Sequence, residues 1–199
     1  MPQKLILASA SEIRQKLLLN AGVSVQIQKA RIDEEMVRAS LEAEQAKPRD
    51  VADTLAEMKA MKVSEKNPDA LVLGCDQVLD LEGKILSKPR DKDDARHQLQ
   101  ILRGQRHMLL SAAVICENGK PIWRHIGQVR LRMRDFSDAY LDGYLDRNWP
   151  GISYCVGAYK LEEEGIRLFS RVDGDYFNVL GLPLLEVLNY LTVRGELQS

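Results

Sequence analysis

Lys4-Leu5-Ile6-Leu7-Ala8-Ser9-Ala10-Ser11-Glu12-Ile13-Arg14-Gln15-Lys16-Leu17-Leu18-Leu19-Asn20-Ala21-Gly22 decides the fold class. An apolar run of strand length passes through small polar residues into a stretch where Ile13, Leu17, Leu18 and Ala21 share one helical face, and Gly22 marks its end. A strand feeding a helix through a short loop is the building unit of α/β proteins, and the chain goes on alternating in this way. Val23, Val25 and Ile27 alternate with polar residues as a second strand, before an acidic, helix-prone stretch at 33–45. Lys47-Pro48-Arg49 breaks that pattern, and Asp50 is placed to cap a helix in which Val51, Leu55, Met58 and Lys62 recur before Asn67-Pro68. Residues 70–73 read as a buried strand delivering Gly74-Cys75-Asp76-Gln77, and a Glu82-Gly83 turn leads to Ile85-Leu86 and Lys88-Pro89. Beyond lie a helix at 91–103, a strand at 108–116, a Glu117-Asn118-Gly119-Lys120 hairpin turn and a strand at 122–133. A helix at 137–148, short strands around 154–159 and 166–169, and an amphipathic helix at 183–193 complete the pattern.

The chain has 199 residues, 45% of them hydrophobic, enough for one domain or two lobes sharing a core. Twenty-eight Lys and Arg nearly balance 29 Asp and Glu, so no overall field draws the chain to nucleic acid or to an anionic membrane. No apolar run approaches the roughly 20 residues that span a bilayer. The N-terminus reaches strand-like sequence without a basic, then apolar, leader, which makes the cytoplasm the expected compartment. Cys75, Cys116 and Cys155 are too widely spaced for a metal pair or a disulfide framework and are expected to be reduced, packed thiols.

Chemistry-bearing residues cluster in a few places. Ser9, Ser11 and Arg14 stand where a strand turns into a helix, and such a start, with free N–H groups and a guanidinium, can cradle phosphate. Ser9 and Glu12 also match a capping box, which would hold the helix end with no ligand. Asp76, after a hydrophobic strand, can bind Mg²⁺ or activate water, with Lys88 a short hairpin away, though Gly-x-Asp in that position commonly marks a turn. The acidic group Asp33-Glu34-Glu35 can supply a second metal ligand or simply favour a helix N-terminus. Lys59, between Glu57 and Lys62, reads locally as part of a solvated charged face. Arg130, Arg132 and Arg134 alternate with Val129, Leu131 and Met133, the pattern of a wet strand face.

Taken in order, these segments resemble the Maf family of nucleoside triphosphate pyrophosphatases. The likeness runs through residues 5–11, Asp33-Glu34, Leu55-Ala56-Glu57-Met58-Lys59-Ala60, Gly74-Cys75-Asp76-Gln77-Val78, Lys88-Pro89, Gly174-Asp175-Tyr176 and Val179-Leu180-Gly181-Leu182-Pro183-Leu184. It implies an α/β, elongated, two-lobed fold with a mixed sheet and a nucleotide-binding cleft, in a single domain over 1–199. It also implies hydrolysis of a nucleoside triphosphate to monophosphate and pyrophosphate with a divalent metal cation, Mg²⁺ or Mn²⁺. By position, Ser9, Ser11 and Arg14 would hold phosphates, Lys59 and Lys88 would neutralise them, Glu34 and Asp76 would take the metal, and Asp76 is also the candidate base. The expected partner is the nucleotide substrate, with neither nucleic acid nor membrane, and a homodimer is left open. The loop reads Ser11-Glu12-Ile13-Arg14-Gln15 where the family has Ser-Pro and further cations, and Tyr154-Cys155 stands in place of Asp-Lys. A nucleotide-binding regulator with little or no hydrolysis is therefore the alternative from another class.

Asp76-Gln77 resembles the family's branch acting on 7-methyl-GTP, and Glu162 falls where that branch has glutamate. A carboxylate accepts from the adjacent N1–H and N2–H donors of guanine, whereas uracil or thymine sets its one N–H between two carbonyls. Ile13 occupies the position where that branch has tryptophan, which leaves Tyr159 or Trp149 to supply an aromatic face. The second alternative is a pyrophosphatase acting on dTTP or UTP.

Overall fold

The computed structural model describes residues 3–198. Strand β1 (Lys4–Leu7) is followed by helix α1 (Glu12–Asn20), the short strand β2 (Gln26–Ile27), and helices α2 (Glu34–Ala43) and α3 (Pro48–Ser64). Strands β3 (Ala70–Leu81) and β4 (Lys84–Leu86) come next, then helix α4 (Lys92–Leu102). The hairpin β5 (Arg106–Glu117) and β6 (Lys120–Met133) leads to helix α5 (Asp138–Asn148). Strand β7 (Phe169–Asp173), the short helix α6 (Tyr176–Val179) and helix α7 (Leu184–Arg194) end the chain. The sheet is mixed, in the order β2-β1-β3-β5-β6-β7 with β4 beside β3. This is the α/β architecture expected from the sequence. Among the described residues no helix is long and apolar enough to cross a membrane.

The chain folds as two compact units. The first gathers the residues up to Gln77, Leu110–Gly127 and the chain from Asp175 onward. Here β1 pairs in parallel with both β2 and β3, with Leu7 opposite Leu73. Alternate side chains of β1 and β3 (Leu5, Leu7, Leu71, Leu73 and Cys75) pack with Leu17 and Leu18 of α1 and with Leu184, Val187 and Leu191 of α7. Burial of that apolar area is the main force holding the unit together. Cys75 lies in this core, and desolvation pushes its thiol up to about 11, so it behaves as an inert apolar side chain.

Several local expectations give way to packing. Helix α3 starts at Pro48 and is preceded by Lys47, so Asp50 sits inside its first turn instead of capping it. Its buried face runs through Val51, Ala52, Leu55, Ala56, Lys59, Ala60 and Val63, leaving Met58 37% exposed and Lys62 outside. The cause is the small-residue ridge Ala52-Ala56-Ala60, which lets β3 approach the helix backbone. A Cβ on Gly74 would lie 2.2 Å from Ala56 O and 2.7 Å from Ala60 N. Gly74 is therefore a close-contact glycine within a strand, not a turn, and β3 continues unbroken past Asp76. The alternating Val23-Val25-Ile27 stretch yields only the two-residue β2.

The second unit comprises Val78–Leu109 and Gln128–Gly174. Glu82 and Gly83 both take positive φ (53° and 87°), which closes β3 onto β4 in a tight turn. Ion pairs Lys92–Asp146 and Arg96–Asp142 join α4 to α5. The stretch at 154–159, expected as a strand, is instead a 3-10 turn (Val156–Ala158), because Gly157 and Ala158 adopt left-handed φ of 76° and 56°. Arg130 and Arg132 are exposed on β6, the wet face of a strand paired antiparallel with β7, and Arg134 is exposed just past its end.

His107 is buried in this unit, with Nε2 2.8 Å from Tyr159 Oη and with Nδ1 unpartnered. Desolvation lowers its pKa from 6.5 to about 4. A histidine depressed in the fold is neutral there while the unfolded chain takes up a proton. Stability is therefore full above pH 6.5 and falls as pH drops toward 4, by about 3 kcal/mol at 1.36 kcal/mol per pKa unit. Chemical denaturation at pH 7.5 and 4.5 should show a smaller acid loss in His107→Gln than in the wild type. Equal losses would remove His107 as the cause.

Candidate active site

The carboxyl ends of parallel strands are where α/β sheets place ligand-binding groups, and the first unit puts two loaded segments where the parallel pairing of β1 with β3 stops at Leu7 and Leu73. One is the loop after β1. Ser11 is the N-cap of α1 but makes no side-chain cap bond, and Glu12 is exposed in the first turn, so there is no capping box. Ser9 is buried instead, its Oγ accepting from Ser11 N–H and from Arg14 Nη1, each at 3.2 Å. Arg14 also donates from Nη1 to Cys75 O at 3.2 Å and from Nε to Gly181 O at 2.7 Å. The guanidinium thus ties α1, β3 and the loop before α7 together, leaving Nη2 as the amine not used in these bonds. Ser11 and Ile13 are half-buried on the same loop and helix.

The second segment is Asp76 on β3. Gly74 and Asp76 point to the same side of the strand, two residues apart, and the contact at Gly74 that draws α3 inward brings Lys59 beside Asp76. Lys59 Nζ lies 2.8 Å from Asp76 Oδ1 and 2.9 Å from Glu34 Oε2. Both Lys59 (7% exposed) and Asp76 (5% exposed) are buried. Glu34 opens α2, whose N-cap Asp33 accepts from Met36 N–H at 3.0 Å. Lys59 is therefore not on a solvated face; it is a buried cation between two carboxylates. Asp76 Oδ2 makes no hydrogen bond.

Gln77, on the opposite side of the strand, directs Nε2 to Ser111 Oγ and to the carbonyls of Asn178 and Val179, all within 3.0 Å. Its amide nitrogen thus clamps α6 against β3 and β5. Lys88 and Glu162 belong to the second unit, where both are exposed. Ser9 with Arg14, and Glu34 with Lys59 and Asp76, are the groups expected from sequence that the structure brings together. One charged neighbour was missed. Arg38, one turn beyond Glu34 on α2, has Nη2 4.0 Å from Asp76 Oδ2, and the i,i+4 spacing of Glu34 and Arg38 was the available signal.

The first unit of this α/β protein thus joins a buried lysine–carboxylate cluster, on β3 just past its parallel pairing with β1, to an arginine-clasped serine loop. The chain belongs to the Maf family: the family model described as Maf-like protein matches residues 4–194. It is 70% identical over 197 residues, 99% of either chain, to a protein of Roseobacter denitrificans named nucleoside triphosphate pyrophosphatase. A Ruegeria sp. protein of the same name is 61% identical over the whole of both chains. A Brucella abortus protein named 7-methyl-GTP pyrophosphatase is 47% identical over 94% of both.

Proposed function

We propose that this chain is a hydrolase that splits the α–β phosphoanhydride bond of nucleoside 5′-triphosphates, giving nucleoside monophosphate and pyrophosphate. The observation that carries this reading is the buried Lys59 ammonium held by Asp76 and Glu34, next to a carboxylate oxygen that makes no hydrogen bond. The full-length similarity to proteins named nucleoside triphosphate pyrophosphatase supports it. Asp76 Oδ2 accepts a proton from the attacking water, the water oxygen bonds to the α-phosphorus, and the bridging oxygen leaves with pyrophosphate. Lys59 neutralises charge that grows on the phosphate oxygens in that step. Ser9, Ser11 and Arg14 orient the phosphates.

Mg²⁺ or Mn²⁺ is part of the proposal. Among the described residues no three His, Cys, Asp or Glu side chains gather into a metal cage. Mg²⁺ commonly uses only one or two carboxylates plus water and substrate phosphate, which Asp76 and Glu34 fit. Bound there, such an ion would supply positive charge to the phosphate oxygens.

For the base, we infer a 7-methylguanine-type nucleotide, preferred over UTP and dTTP. The name of the Brucella relative and the acceptor-only chemistry of Glu162 support this. Gln77 would act on the base indirectly, through the α6 segment that it holds. Pyrophosphate release from 7-methyl-GTP, GTP, UTP and dTTP, each with Mg²⁺ or Mn²⁺, tests both levels. The expected order of kcat/KM puts the guanine nucleotides first, and Glu162→Gln should narrow that ratio about tenfold, the effect of one lost charged hydrogen bond. A preference for UTP or dTTP would sink the base assignment, and no turnover with any of the four would sink the hydrolysis.

A further inference from the structure

In the first unit the half-buried Arg38 and the buried Asp76 form an ion pair that is too long to be a hydrogen bond. Arg38 Nη1 is buried and makes no hydrogen bond, Asp76 Oδ2 is likewise buried and makes none, and Arg38 Nη2 stands 4.0 Å from that oxygen. Leaving such groups unsatisfied costs stability, and a direct guanidinium–carboxylate pair would form if they closed by about 1 Å. They are held apart from both sides. Asp76 is anchored through Oδ1 to Lys59, and Lys59 is anchored in turn to Glu34, one helical turn before Arg38. The unpartnered Nη1 is a donor with its hydrogen-bonding capacity unused. Arginine suits an oxyanion there because its planar fork is always charged and presents paired donors.

We propose that Arg38 is a substrate-binding residue whose Nη1 donates to a nonbridging oxygen of the polyphosphate beside Asp76, so that α2 contributes a cation to the site as well as Glu34. This rests on the phosphoanhydride chemistry proposed above. With the phosphate seated, Arg38 satisfies its own orphaned donor and draws the reacting group toward Asp76 Oδ2. Electrostatic attraction to Asp76 alone would leave Nη1 without a partner.

Isothermal titration of the full chain with inorganic tripolyphosphate, without metal and with saturating Mg²⁺, reads the contact without relying on turnover. Arg38→Met should bind about 10- to 100-fold more weakly than wild type, the range for a charge-assisted hydrogen bond. Arg38→Lys, which keeps the charge but loses the fork, should fall between them. Should Arg38→Met fail to fold, Arg38→Lys decides: a loss of about fivefold or more is expected, and equal affinity overturns the proposal. Affinity within twofold of wild type in a folded Arg38→Met, or no binding by the wild type itself, also overturns it. So does a variant that only shifts the acid limb of the pH–rate profile with tripolyphosphate affinity unchanged, because Arg38 would then be a counter-ion to Asp76. A wild type that binds tripolyphosphate through Arg38 but hydrolyses no nucleotide would sink the hydrolysis and leave this site standing.

Discussion

Asp76→Asn is expected to lower kcat/KM for triphosphate hydrolysis by about 10² to 10⁴, the usual cost of losing a general base, while the protein stays folded. Asparagine keeps the shape of the side chain, and its Oδ1 can still accept from Lys59 at the present 2.8 Å. What it loses is at the other position. Oδ2, which makes no hydrogen bond, becomes an NH₂ that can neither take a proton from water nor ligate a cation. The amide also turns a donor toward the Arg38 guanidinium, so a modest loss of stability should accompany the loss of rate. Pyrophosphate release and thermal unfolding, measured on the same preparation, separate the two effects. Activity within threefold of wild type in a folded variant would remove Asp76 from the chemistry and leave its pair with Lys59 as structural.

The helices and long strands could be read from the sequence because their periodicity is strong and their ends are chemically marked. Asp33, Asp91 and Ser137 cap α2, α4 and α5 with their side chains, and Asn118 and Gly119 turn left-handed between β5 and β6. The parts that escaped depend on what lies across the fold. At 154–159 the short apolar run Tyr154-Cys155-Val156 reads as a strand, yet the backbone turns left-handed at Gly157 and Ala158. Lys59 has charged neighbours at Glu57 and Lys62, so its own helix advertises a wet surface. Only the Ala52-Ala56-Ala60 ridge hinted that the adjacent face would be pressed against a strand. Asp76 was legible as a chemical group but not in its setting, because a glycine two residues earlier looks alike whether it turns the chain or admits a helix. Arg38 was hidden for a related reason. Its partner Asp76 is remote in sequence, and a lone arginine on an acidic helix has an ordinary solvent-facing explanation.

That dependence makes Gly74 the position where packing and chemistry can be tested together. A methyl at Gly74 would fall 2.2 Å from Ala56 O, 2.7 Å from Ala60 N and 2.9 Å from Ala60 Cβ, closer than nonbonded atoms approach, and two of the three are helix backbone that no rotamer change can move. In Gly74→Ala, α3 must therefore shift away from β3. Overpacking of this kind costs typically 1–3 kcal/mol, and clashes with backbone place Gly74→Ala near the top of that range, a drop of roughly 6–12 °C in Tm for a chain of this size. Lys59 precedes Ala60 and must move with it, away from Asp76 and toward solvent. Misplacing a catalytic group by about 1 Å can cost around 10²-fold in rate, so kcat should fall by that order even at temperatures where the variant is fully folded. Gly22→Ala is the matched control. Gly22 has open space around its missing Cβ but a φ of +76°, so alanine should cost about 1 kcal/mol in backbone strain and leave kcat unchanged. Wild-type Tm and kcat in Gly74→Ala would mean that α3 does not depend on this contact for its position. A lowered Tm with wild-type kcat would mean that Lys59 keeps its place without it, and the proposed link from a bare strand glycine to the Lys59–Asp76 pair would fail.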